Sequence, residues 1–116
     1  MKFDDARPIY LQIVEYYKQE IIRGNLKVGD KMPSVREAAR DLAVNPNTLQ
    51  RAYSILESEG VTRSERGKGF FVNLDRQDMG QIKEDMALES IDKAIKDLKK
   101  INLDKDKALR LIEERW

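Results

Sequence analysis

Apolar residues first recur at helical spacing just after Pro8. Tyr10, Ile13, Val14, Tyr17, Ile21 and Ile22 stand three or four apart and build one apolar face. Pro8 suits the first helical position, where a missing N–H leaves no bond unmade. Gly24-Asn25 stops the helix, since both residues tolerate the left-handed backbone that follows one. Residues 26–33 read as a loop, turned at Gly29-Asp30 and barred from helix by Pro33. Ser34-Val35-Arg36-Glu37 then has the form of a capping box, in which Ser34 accepts from the Glu37 N–H and Glu37 reaches back. Val35, Ala38, Ala39 and Leu42 predict a helix of about two turns behind it. That helix must end near Ala43-Val44, because Asn45-Pro46 opens the next one, with Asn45 as cap and Pro46 at the first position. Leu49, Ala52, Tyr53 and Leu56 line one face of this third helix, which closes at Gly60.

After Gly60 the period changes. Residues 61–64 and 69–72 predict two short strands around Glu65-Arg66-Gly67-Lys68, with glycines to supply the positive φ that a tight hairpin needs. Residues 73–78 read as a polar linker. A second helical unit is expected from about Met79 to Ile101, with Met79, Ile82, Met86, Leu88, Ile91, Ile95 and Leu98 as its apolar stripe. Asn102 breaks it, and Asp104 caps a last short helix bearing Ala108, Leu109, Ile112 and Trp116. The expected fold is mainly α with a small β hairpin. It consists of an N-terminal winged helix-turn-helix, residues 8–74, and a C-terminal two-helix unit, residues 75–116.

Composition narrows the chemistry. The 116 residues include no Cys and no His, which removes disulfides, thiolate zinc sites, Cys nucleophiles and imidazole catalysis. A metal would have carboxylates and carbonyls alone, a set that suits Mg or Ca better than Zn, and no cofactor is expected. Neighbouring acids such as Asp4/Asp5, Glu57/Glu59 and Glu113/Glu114 read as solvated, so an enzyme is not expected. No apolar run approaches the ~20 residues of a membrane span, and residues 1–8 lack a signal peptide's apolar core. The expectation is a cytoplasmic protein with no membrane partner. With 22 basic and 21 acidic residues the net charge is +1, so a nucleic-acid function must rest on local placement.

That placement is found on the third helix. At 100° per residue the face opposite Leu49 carries Asn47, Gln50, Arg51, Ser54 and Ser58, with the hydrogen-bonding side chains gathered toward its N-terminal half. A recognition helix puts such residues in the major groove, where Asn and Gln pair with adenine and Arg with guanine. An ordinary solvated face mixes Lys and Glu, and Asn47-Thr48-Leu49-Gln50-Arg51 does not. Arg36, in the first turn of the preceding helix, is placed for the phosphate backbone. Arg66-Gly67-Lys68-Gly69 sets two cations beside exposed backbone at the hairpin tip, which suits a phosphate or minor-groove contact.

Several stretches together resemble the GntR family of bacterial transcription regulators. They are Pro8-Ile9-Tyr10-Leu11-Gln12-Ile13, Gly29-Asp30-Lys31-Met32-Pro33-Ser34-Val35-Arg36-Glu37, Val44-Asn45-Pro46-Asn47-Thr48-Leu49-Gln50-Arg51-Ala52-Tyr53, Glu59-Gly60-Val61 and Gly67-Lys68-Gly69-Phe70-Phe71-Val72. The resemblance spans residues 8–73, and the short tail is similar to the YtrA-like subfamily, whose members carry two C-terminal helices instead of a large effector domain. It implies a homodimer on double-stranded DNA at a palindromic operator, most often as a repressor. By position it implies Arg36 on phosphate or base, Asn45, Asn47 and Thr48 at the start of the recognition helix, Gln50 and Arg51 deeper in the groove, and Gly67 at the wing tip. Some branches have Arg where this chain has Pro46 and Gln50, so their operators do not transfer. YtrA-like regulators often control membrane-transporter genes.

Two further expectations concern partners. The stripe from Met79 to Leu98 outruns what the short last helix can cover, which predicts an isologous dimer contact. An unknown small-molecule effector would sit between subunits or between tail and winged helix, since two helices leave little room for a private cavity. The competing function class is a winged helix that uses the same surface against protein.

Overall fold

The computed structural model describes residues 2–116, with Arg76 described by its backbone alone. In chain order the elements are α1 (Ile9–Ile22), α2 (Val35–Leu42), α3 (Pro46–Ser58), β1 (Thr62–Glu65), β2 (Gly69–Val72), α4 (Arg76–Lys100) and α5 (Lys105–Arg115). Internal packing divides the chain into two units, one ending at Gly80 and one running Gln81–Trp116, so the division falls inside α4.

In the first unit α1, α2 and β1 all pack against α3. Ile13, Leu49, Ala52, Leu56, Val61 and Val72 are fully buried there. Tyr17, Tyr53 and Phe70 continue this core as a chain of edge-to-face rings, 5.5 and 5.1 Å between centroids. Gln12 is a buried polar residue on α1 whose amide is fully used. Its oxygen accepts from the Asp4 N–H at 2.8 Å, and its NH₂ donates to the Asp4 and Arg7 carbonyls at 2.6 and 3.0 Å. The N-terminal arm is thereby tied to the helix.

Several boundaries differ from the sequence reading, each for a local reason. Pro8 is the cap of α1 and not its first residue, with extended ψ of 135° and a carbonyl that accepts from the Gln12 N–H. The first strand lies one residue later than expected, at 62–65, in the register Thr62↔Val72 to Glu65↔Gly69. Residues 73–78 are not a linker. Leu74 is 3% exposed, and the Asp75 carboxylate accepts from the Asp78 N–H at 2.8 Å, capping α4 so that it begins at Arg76. Residues 29–32, read as plain loop, run beside β2 through bonds Gly29 N–H to Val72 O, Val72 N–H to Asp30 O and Met32 N–H to Phe70 O. This lateral pairing fixes the hairpin to the segment that enters α2.

The second unit comprises the rest of α4 and α5. Asn102 takes a left-handed φ of 56° and Asp104 accepts from the Lys107 N–H at 3.1 Å, so the break and the cap fall where the sequence placed them. The expected single stripe on α4 is two. From Met86 to Leu88 the step is only two residues, about 200° around a helix, so Met79, Ile82 and Met86 lie on one face and Leu88, Ile91, Ile95 and Leu98 on the roughly opposite one. The first three are half-buried, whereas Leu88, Ile91 and Ile95 are 48%, 51% and 45% exposed. Among the described residues of 81–116 none is fully buried.

Candidate nucleic-acid interface

The start of α2 is set by reciprocal bonds. The Glu37 N–H donates to Ser34 Oγ at 3.1 Å, and the Ser34 N–H donates to Glu37 Oε1 at 3.2 Å. The Ser34 side chain, and then its backbone N–H, hold the Glu37 carboxyl below the usual carboxylate range. Arg36 sits in this first turn, exposed, and makes no ion pair among the described residues. Tyr53 of α3 donates from its hydroxyl to the Pro33 carbonyl at 2.7 Å, one residue before the Ser34 cap. Burial raises the Tyr53 phenol, so it stays a neutral donor through the physiological range. One hydroxyl thus ties the core of α3 to the entry of α2.

Between them the chain turns at Ala43, a non-glycine residue at φ 55°, with the Val44 N–H returned to the Ala39 carbonyl at 2.9 Å. Asn45 caps α3: its side-chain oxygen accepts from the Asn47 N–H at 2.7 Å. Leu49, Ala52, Tyr53 and Leu56 point into the core. Asn47, Gln50, Arg51 and Ser54 are exposed, and Thr48 is half-buried. The expected separation of faces is therefore present along the N-terminal half of the helix.

Arg51 has a partner that periodicity alone did not suggest. Its guanidinium lies 3.7 Å from the ring centroid of Tyr10, a residue the apolar pattern had assigned to the face of α1. At the hairpin, Gly67 takes φ 75° in a turn closed by the Lys68 N–H on the Glu65 carbonyl at 2.9 Å. Arg66, Gly67 and Lys68 are exposed, and neither cation has an ion-pair partner among the described residues. Arg63, by contrast, is engaged within the hairpin by Glu65 Oε1 at 3.4 Å, the Val72 carbonyl at 3.3 Å and the Phe71 ring at 5.3 Å. Lys31 joins the hairpin from the flanking segment. Its Cε lies 3.3 Å from where a Cβ on Gly69 would stand, so glycine there leaves room for the lysine stem. The signal for Lys31 is tertiary: it becomes a neighbour of the wing only through the pairing of residues 29–32.

A capped two-helix turn followed by a hairpin with a basic tip defines a winged helix-turn-helix, the architecture of a class of DNA-binding proteins. Residues 9–72 match the family described as bacterial regulatory proteins, gntR family. The chain is 37% identical over 112 residues to YhcF of Bacillus subtilis (strain 168), an uncharacterised HTH-type transcriptional regulator, covering 97% of this chain and 93% of that one. It is 44% identical over 68 residues to YtrA of the same organism, an HTH-type transcriptional repressor, covering 59% of this chain and 52% of that one. A solved GntR family transcriptional regulator from Listeria monocytogenes superposes with a TM-score of 0.87 at 38% identity, over 97% of this chain and 98% of that one. The DNA-binding domain of AraR, solved in complex with its operator ORR3, superposes with a TM-score of 0.56 at 28% identity, over 62% of this chain and 87% of that one. The chain belongs to the GntR family and has YtrA-like relatives. It is a transcription regulator whose DNA-binding part is the helix-turn-helix of that family.

Among the described residues no helix is long and apolar enough to cross a membrane. In the second unit, Ile91, Ile95, Leu98, Leu103, Leu109 and Ile112 line a mainly apolar groove of about 420 Å³, to which Lys99 and Lys105 also contribute.

Proposed function

We propose that this regulator is a repressor that binds a palindromic operator as a homodimer. Domain 8–74 reads the DNA and the tail, residues 75–116, joins the two copies. The observation that carries the reading is the exposed polar face on the N-terminal half of α3, together with Arg36, Arg66 and Lys68, exposed cations that make no ion pair among the described residues. Asn47, Gln50 and Arg51 supply the bidentate groups that distinguish base pairs in the major groove, with Asn45, Thr48 and Ser54 beside them. Arg36 and the wing residues Arg66, Gly67 and Lys68 supply phosphate contacts, which position the helix without reading sequence. Repression is favoured by the relative that bears that name.

The half-exposed face of Leu88, Ile91, Ile95 and Leu98 and the groove it shares with α5 support the dimer. A two-fold contact there would present two recognition helices to two inverted half-sites about one helical turn apart. The test selects bound duplexes from a random library and titrates the enriched sequence by mobility shift across salt. Enrichment of inverted repeats, with log affinity falling linearly in log salt, is the expected result. Binding without salt dependence or sequence enrichment would favour a protein-interaction module instead.

A further inference from the structure

We infer that Tyr10 is a positioning residue for Arg51, holding its guanidinium stacked before DNA arrives. The inference rests on the proposal that α3 enters the major groove. Arg51 is exposed on α3, and a free arginine on a helix surface samples many rotamers. Here the guanidinium lies 3.7 Å from the ring centroid of Tyr10, a half-buried residue at the start of α1. Because α1 packs directly against α3, the ring belongs to the framework and not to a mobile loop. At 3.7 Å the guanidinium carbon is at contact distance over the ring, and a guanidinium lying flat there engages by its face and keeps its N–H donors in the plane at its edge. The edge that makes a bidentate contact to guanine O6 and N7 is therefore still available while the side chain is held. Ordering done in the free protein is not required again on binding, so Tyr10 contributes to affinity without touching a base.

The test is a double-mutant cycle, since neighbouring residues that act together give non-additive effects. Wild type, Tyr10→Leu, Tyr10→Phe, Arg51→Ala and the Tyr10→Leu/Arg51→Ala pair are titrated on a duplex enriched from a random library by the wild-type chain, and on a shuffled duplex. Tyr10→Leu is expected to lose about two- to five-fold on the enriched duplex, the range of an exposed cation–π contact, and nothing on the shuffled one. Tyr10→Phe restores wild-type binding, and Tyr10→Leu has no further effect once Arg51 is alanine. Equal losses in both Arg51 backgrounds, failure of Phe to rescue, or tighter binding by Tyr10→Leu would each overturn the inference while leaving the Arg51→Ala effect in place. If Arg51→Ala itself binds the enriched duplex like wild type, the base-reading role fails and the inference with it. A second measurement needs no variant to fold: ring-current shifts upfield on the Arg51 side-chain protons of the free wild-type chain. Their absence overturns the stacking directly.

Discussion

Ser34 and Glu37 show how much of the proposed binding surface depends on single polar atoms. Their reciprocal bonds at 3.1 and 3.2 Å satisfy backbone donors that the first turn of α2 would otherwise leave free, and so they set the position of Arg36. Ser34→Ala should cost about 1 kcal/mol of stability, read by thermal or urea unfolding. The same box carries a pH dependence. Glu37 is held below its ordinary carboxylate range, so its contribution is complete above the unfolded carboxylate pKa and is lost as pH falls through the lowered folded value. Glu37→Gln should flatten stability against pH in that acid window, and an unchanged acid limb would remove Glu37 from the account. Arg51 belongs to the same scale. Arg51→Ala should weaken operator binding by roughly 1–3 kcal/mol and relax the preference at one position per half-site. Equal weakening on every sequence would make it a phosphate contact.

At the scale of elements, the hairpin shows how a basic tip is isolated from its own strands. Arg63 is consumed by Glu65 and the Val72 carbonyl, whereas Arg66 and Lys68 stand in the turn beyond the last strand pair, Glu65↔Gly69. Arg66→Ala or Lys68→Ala should lower affinity nearly uniformly across sequences and shallow the salt slope by about one charge each. Slopes unchanged in both variants would place the wing off the DNA. The pairing of residues 29–32 with β2 gives the tip a fixed base, and Tyr53 does the equivalent for α2 through the Pro33 carbonyl.

For the whole molecule, the second unit has too little of its own to bury. Among its described residues none is fully buried, and Leu109 and Ile112 of α5 are about half exposed. The proposed homodimer covers this surface at the face of Leu88, Ile91, Ile95 and Leu98. Ile91→Asp or Ile95→Asp would bury a charge in that seam and should give a folded monomer that binds full operators far more weakly than wild type. Sedimentation checks it: a wild-type monomer at micromolar concentration, or a dimer that survives both substitutions, would overturn the interface.

Much of the local structure was legible in the residues themselves. Ser34 with Glu37, Asn45 with Pro46, and Asp104 mark helix starts because their side chains bond to backbone within a few positions, an interaction that needs no distant partner. The polar face of α3 is likewise a matter of angle along one helix, and the ordered motifs of residues 8–73 identified the family. Asp75 is also a local cap, but it sits in a polar run, residues 73–78, whose composition is that of a linker. The two faces of α4 were hidden by treating seven apolar positions as one stripe across the two-residue step at Met86–Leu88. Other features depend on segments far apart in sequence. Tyr10 meets Arg51, Lys31 meets Gly69 and Tyr53 meets Pro33 only when α1, the loop before α2 and the hairpin are packed around α3. The sequence alone determined which residues could cap, turn or face outward, because those are short-range properties of the chain. Only the tertiary structure decided which exposed side chains are held in place and by what, because packing brings their partners from elsewhere in the chain.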